Sequence, residues 1–266
     1  MNDFLIVIPA RMASTRLPGK VLADLNGRPV VEWCRRAAVR AGLGTVVVAT
    51  DDPRVSRALA PYNAQVVMTC AKCVSGTDRT WDAVRRLSRL PRRGACAGIR
   101  FVMNLQGDEP FVSPVTLRRV AATLRRRPDC DIATAVTRIG AREAADPNSV
   151  KTVLTREGRC LYFSRAPIPF PRASSRNGSG PIYWKHLGLY AFRKEALERF
   201  IRLPVSPLER RESLEQLRAI EAGMSVHAVE AAGPTVAIDT AADLARARRR
   251  AREGRAENTK GATTYG

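Results

Sequence analysis

Histidine is scarce in this 266-residue sequence, two residues in all, and aromatic side chains make up only 6% of it. The single Cys-x-x-Cys pair, Cys70-Ala71-Lys72-Cys73, therefore has no second pair and no neighbouring histidine. A structural zinc site needs about four ligands, so the pair does not point to one. The other four cysteines (34, 96, 130 and 160) are scattered, and reduced thiols packed as small hydrophobes are expected. No apolar run approaches a membrane span, and the chain enters a strand at once, without a basic region and apolar signal core. A cytoplasmic chain with no membrane partner is the expectation.

Acidic residues are also in short supply. Lys and Arg number 45 against 25 Asp and Glu, a formal net charge of +20, and only six of the cations are lysines. Clusters stand at Arg35-Arg36, Arg125-Arg126-Arg127 and between Arg246 and Arg255. Such a field attracts polyanions without selectivity. Nucleic-acid recognition would add interleaved aromatics or a known module, and neither is present. The arginines are read as solvent faces that use Arg where other proteins use Lys, and nucleic acid is not an expected partner.

What is present is enough chain to bury a large core, and an opening segment that organises the rest. Phe4 to Ile8 has the length and β-branched character of a buried parallel strand. Pro9 must end its ladder, because proline has no N–H to donate. The loop that follows holds Arg11, Arg16 and Lys20, the hydroxyls Ser14 and Thr15, and a Pro18-Gly19 turn. A basic, hydroxyl-rich loop at the carboxyl end of a first strand is where an open α/β sheet binds its ligand. Its charges suit a polyphosphate, although an exposed turn with solvated cations accounts for the same residues.

Apolar spacing predicts a helix from Val30 to Ala41, ended by Gly42, and strands at 45–50, 65–69 and 101–105. Asp51-Asp52-Pro53 can cap a short helix through Leu59, Trp81, Val84 and Leu87 share a helical face, and a further helix spans 114–126. This alternation implies a mostly parallel, Rossmann-like sheet with helices on both faces. The second half reads differently. Strands are expected at 132–138, 150–155, 160–164, 185–192, 225–230 and 235–238, and helices at 194–202, 206–222 and 240 to about 253. Residues 1–253 would form a single domain with a smaller mixed α/β lobe at about 150–230, and 254–266 a disordered tail.

Three further segments can carry chemistry. Gln106-Gly107-Asp108-Glu109-Pro110 puts a carboxylate just past a buried strand, where Asp108 suits Mg²⁺ or caps the next helix. Ile238-Asp239-Thr240 offers a second carboxylate, with Asp239 and Thr240 both able to cap the last helix. Ser75-Gly76-Thr77 opens a helix, so its N–H groups and hydroxyls suit either a nucleotide or a simple cap.

In order, IPARMASTRLPGK, SGTDR, NLQGDEP, YFSRAPIPF, KHLGLYAFR, SPLERRESLEQLR and IDTAADL resemble the 3-deoxy-manno-octulosonate (Kdo) cytidylyltransferases, or CMP-Kdo synthetases, over about residues 3–250. The resemblance implies a nucleotidyltransferase that joins CTP to Kdo, releasing pyrophosphate and giving CMP-Kdo for lipopolysaccharide, with Mg²⁺ as cofactor and a homodimer as assembly. It implies catalytic roles for Lys20, Asp108 and Asp239, with Asp108 and Asp239 on the metal. Ala10, Arg11, Ser14, Arg16, Lys20, Ser75, Gly76 and Thr77 would seat the nucleotide. Gln106, Arg165, His186, Tyr190, Glu215 and Gln216 would line the sugar-acid pocket. Where the family usually has an acid, a histidine and a polar residue before the Ser-Gly-Thr, this chain has Lys72, Cys73 and Val74. The alternatives are a cytidylyltransferase for another sugar acid (8-amino-Kdo or one like sialic acid) and a non-catalytic relative that binds nucleotide or polyanion.

Overall fold

The computed structural model describes residues 2–14, 17–89, 98–172, 183–233 and 236–261, with side chains of the last helix described to Arg252. Thr15, Arg16 and Cys96 lie outside the described residues, as do most of the polar loop before Tyr183 and residues 262–266.

The first half alternates as its apolar spacing predicts. Strand β1 (Phe4–Pro9) leads to helix α1 (Val30–Ala41), β2 (Gly44–Thr50), α2 (Pro53–Leu59), β3 (Val66–Met68), α3 (Gly76–Ser88), β4 (Phe101–Leu105) and α4 (Pro114–Arg126). Helix α2 starts where Asp52 accepts from the Arg54 N–H, and α1 ends on Gly42 in the left-handed region. The second half holds β5 (Ile132–Ile139), α5 (Ala141–Ala144), β6 (Lys151–Leu154), β7 (Cys160–Ser164) and β8 (Tyr183–Arg193). It continues through α6 (Lys194–Arg202), α7 (Pro207–Glu212), α8 (Leu217–Glu221), β9 (Val226–Glu230) and α9 (Ala241–Gly261).

The sheet runs β3-β2-β1-β4-β8-β5-β9, with β1 parallel to β2 and β4, and β8 antiparallel to both β4 and β5. Residues along β1 alternate between two cores. Phe4, Ile6 and Ile8 pack with residues of α1 and α4, whereas Leu5 and Val7 pack with residues of α3 and α6. Both faces of the strand are thus buried, which accounts for its unbroken apolar run.

Four expectations change. Of the segment 150–230, β8 and β9 belong to the main sheet, and the β6–β7 hairpin branches from it beside α7 and α8. The helix expected over 206–222 is two short ones, because Ser213 takes a left-handed φ of 52° between them. No strand forms at 236–238; that stretch lies against the loop after β4, and the Ile238 N–H donates to the Asp108 carbonyl at 2.9 Å. The final helix continues past Glu253 to Gly261. Its start packs Leu244, Ala247 and Ala251 against Leu25 and Val30. No described helix is long and apolar enough to cross a membrane.

Candidate active site

The loops after β1 and β4 meet closely because two glycines let them. A Cβ on Gly107 would stand 2.9 Å from the Pro9 carbonyl oxygen, closer than side chains tolerate, and one on Gly76 would crowd Gln106 and Pro9. The segments carrying Lys20, Gln106 to Asp108 and Ser75 to Thr77 therefore share one edge of the sheet.

Neither key carboxylate is consumed by helix capping. Ser113 caps α4 by accepting from the Val115 N–H, which leaves Asp108 outside that role. At α9, Thr240 and Asp243 cap each other: Thr240 Oγ1 accepts from the Asp243 N–H, and Asp243 Oδ2 accepts from Thr240 and Asp239 N–H. The Asp239 carboxylate is thus released towards Lys20, whose Nζ stands 2.8 Å from Asp239 Oδ1 and also pairs with Asp108. Burial works against the Lys20 ammonium, yet the two carboxylates more than offset it and hold its pKa above the usual lysine value. Two like charges 131 positions apart in sequence both pair with Lys20.

Beside them opens a cleft of about 820 Å³, walled by Gln106, Asp108, His186, Tyr190, Glu215, Gln216 and Asp239. All seven come from four separate motifs, so the fold joins residues that the sequence spreads over about half its length. His186 is buried, and burial alone lowers its pKa to about 3, so its ring is neutral. The Thr134 hydroxyl donates to the Leu189 carbonyl at 2.6 Å and so accepts from His186 Nε2–H at 2.9 Å. That tautomer leaves Nδ1 as an acceptor, suited to a sugar hydroxyl and unsuited to acid catalysis. Burial also raises the Tyr190 phenol well above its usual value.

Glu215 reaches the start of α3. Burial pushes its carboxyl up, against hydrogen bonds from Thr77 and Ser75. Thr77 donates to Glu215 and accepts from Asn104 Nδ2 at 3.2 Å, while Ser75 caps α3 in a reciprocal box with Asp78. Ser75 to Thr77 thus serve as a cap and as a link to the cleft at once. Arg79 of the same motif is buried and pairs with Asp51 at 3.1 Å and Thr69 at 2.7 Å, tying α3 to the ends of β2 and β3.

The remaining expected residues are placed less directly. Arg11 is exposed and Ser14 half-buried on the loop after β1. Ala10 is fully buried, and its N–H is already donated to the Ala49 carbonyl at 2.8 Å. Arg165 is not in the cleft wall: its guanidinium donates to the carbonyls of Pro147, Glu212 and Ser213. It braces the turn that leads to Glu215 and Gln216.

Sequence reasoning missed Glu109 and Lys185. Glu109 is buried beside the cleft; its Oε1 accepts from the Gly188 N–H at 3.1 Å, and its Oε2 has no hydrogen-bond partner among the described residues. Burial, with Asp108 adding repulsion, raises its pKa to about 7. Lys185 is one of the few cations in a wall rich in carboxylates, and it pairs with Glu143 at 2.7 Å. A lysine beside His186 in the mainly apolar strand β8 was the available signal.

A mostly parallel sheet that gathers a lysine and two carboxylates beside one cleft fits a nucleotidyltransferase, and the sequence profile of the cytidylyltransferase family matches residues 5–226. A 3-deoxy-manno-octulosonate cytidylyltransferase of Elusimicrobium minutum is 46% identical over 252 residues, spanning 94% of this chain and 98% of that protein. One of Acidithiobacillus ferrooxidans is 44% identical, spanning 92% and 98%. The solved structure of a CMP:2-keto-3-deoxy-manno-octonic acid synthetase complexed with CTP superposes with a TM-score of 0.83 at 38% identity, covering 94% of this chain and 99% of that one. The chain belongs to the 3-deoxy-manno-octulosonate cytidylyltransferase, or CMP-Kdo synthetase, family.

Proposed function

We propose that this chain joins CTP to 3-deoxy-manno-octulosonate, giving CMP-Kdo and pyrophosphate for lipopolysaccharide synthesis. The observation that carries the reading is the meeting of Asp108 and Asp239 at Lys20, in a chain so similar to enzymes of that name. Two converging carboxylates are a hard-oxygen donor set that fits Mg²⁺, and they would hold it. Bound there, the ion supplies a lowered pKa for the sugar hydroxyl and charge neutralisation at the α-phosphate.

The chain's own groups do the rest. Lys20 and Arg11 supply positive charge to the triphosphate, which matters because a second anion must approach an already anionic phosphorus. Neutral His186 and the Tyr190 phenol offer hydroxyl partners to the sugar, and Gln106 and Gln216 offer amides. Of the described cations in the cleft wall, Lys185 and Arg246, Lys185 stands next to His186 in sequence and is the one assigned to the sugar's carboxylate. A homodimer working in the cytoplasm completes the proposal, the dimer on family resemblance. The test is pyrophosphate release from CTP with Kdo, 8-amino-Kdo and a sialic acid, with and without magnesium. Turnover restricted to Kdo plus magnesium is expected, and preference for another acid would reassign the substrate.

A further inference from the structure

The turn carrying Cys70 and Cys73 has no part in the chemistry above. It joins β3 to α3, and the Cys73 N–H donates to the Cys70 carbonyl at 3.3 Å, the bond that closes a β-turn. Such a turn brings its end Cα atoms within roughly 7 Å, against an upper limit of about 6.8 Å for a disulfide. Both thiols are free, Cys70 exposed and Cys73 half-buried, whereas Cys34, Cys130 and Cys160 are buried. The Lys72 N–H donates to Cys70 Sγ at 3.4 Å, which fixes the position of that exposed sulfur within the turn. Burial pushes the Cys73 thiol up, with Arg79 opposing and Asp82 and Asp78 adding to the rise. Among the described residues no third cysteine, histidine or carboxylate joins the pair to make a metal site.

The turn is fastened to α3. The Cys70 N–H donates to Asp82 Oδ2 at 2.8 Å, and only Val74 separates Cys73 from the cap Ser75. A change in the turn therefore reaches Ser75 and Thr77, the residues linked to Glu215.

We infer that Cys70 and Cys73 form a dithiol modification site that reacts with low-molecular-weight disulfides and, once closed, weakens CTP binding. The Cys70 thiolate attacks one sulfur of oxidised glutathione, forming a mixed disulfide and expelling one glutathione thiolate. The Cys73 thiolate then attacks the Cys70 sulfur, closing the protein disulfide and expelling the second glutathione. The two protein protons end on the two released thiols, the protein is oxidised by two electrons, and an added dithiol reverses the exchange.

The effect on CTP rests on the cytidylyl-transfer reading; the thiol chemistry does not. The full chain is treated with oxidised glutathione, followed by intact mass, peptide mapping and calorimetric titration with CTP. Loss of two hydrogens mapped to Cys70–Cys73 is expected, with a several-fold loss of CTP affinity restored by dithiothreitol. Cys73→Ser should stop at a mixed disulfide on Cys70. A mixed disulfide that persists on the unmutated chain, a bridge mapped elsewhere, or CTP affinity unchanged by oxidation overturns the inference. Failure of the reduced protein to turn over CTP would instead count against the proposed function.

Discussion

Lys20 Nζ lies 2.8 Å from Asp239 Oδ1 across 219 positions of sequence, and the same ammonium pairs with Asp108. If the two carboxylates hold a divalent ion, losing either should stop turnover without unfolding the chain. Asp108→Asn and Asp239→Asn are each expected to lower kcat by at least about a hundredfold at saturating magnesium, as for removal of a group acting on developing charge. Circular dichroism should stay unchanged. Wild-type kcat in either variant would remove the metal assignment.

Lys20 also keeps two like charges side by side, so its removal has a structural cost that a cation should repair. Lys20→Met removes the cation that pairs with both Asp108 and Asp239 and leaves the two carboxylates facing each other. Because all three groups keep some exposure, a destabilisation of about 1–3 kcal/mol is expected in chelator. Millimolar magnesium should recover most of it if the carboxylates bind the ion. A melting temperature equally low with and without magnesium would show that they do not.

The convergence explains which parts of the molecule were legible in the sequence. Elements with one clear period were: α4, β7 and α6 match their apolar spacing residue for residue. Where local signals compete, the tertiary structure decides. Ser206 to Ala222 has helical spacing throughout, but Ser213 turns left-handed and the chain breaks, so Glu215 and Gln216 reach the cleft. Asp239 and Thr240 were equal candidates for one cap, and Asp243, three residues beyond Thr240, settled it. Glu109 was invisible because its partner, the Gly188 N–H, lies on a distant strand and leaves no trace in spacing.

Glu109 gives a pH dependence with a defined sign. Its carboxyl is raised from 4.5 to about 7 in the folded chain, so between those values the native state keeps a proton that the unfolded state has released. Folding stability should therefore fall as pH rises through this window, by roughly 3 kcal/mol in all, and level off above it. Asp108, Asp239 and Lys185 face the same group and must be read with it, so the measurement belongs in magnesium-free buffer. Glu109→Gln keeps an acceptor for Gly188 and should flatten the slope in urea titrations. An unchanged slope would place the titration elsewhere.

Arg165 separates bracing from binding. With three carbonyls as its partners, Arg165→Ala should loosen the turn before Glu215 and Gln216, lowering the melting temperature and raising KM for the sugar acid. Arg165→Lys keeps the charge but lacks the planar fork, so it should behave like the alanine variant. Rescue by lysine, or a KM effect with no loss of stability, would mean that the charge itself meets the substrate.

The closest backbone approach in the site is at Gly107. An added Cβ there would meet the Pro9 carbonyl oxygen at 2.9 Å and Ile8 Cγ2 at 3.5 Å, and neither can swing aside because β1 is buried on both faces. Gly107→Ala must then push the loop after β4 away from β1, at about 1–3 kcal/mol of stability. The same shift carries Asp108 away from Lys20, so kcat should fall with the melting temperature, whereas an equally destabilising core change such as Leu124→Ala should leave kcat near normal below its melting point. Parallel kinetics of the two variants decide the matter: if Gly107→Ala retains full kcat, the spacing between β1 and the loop after β4 does not set the catalytic geometry.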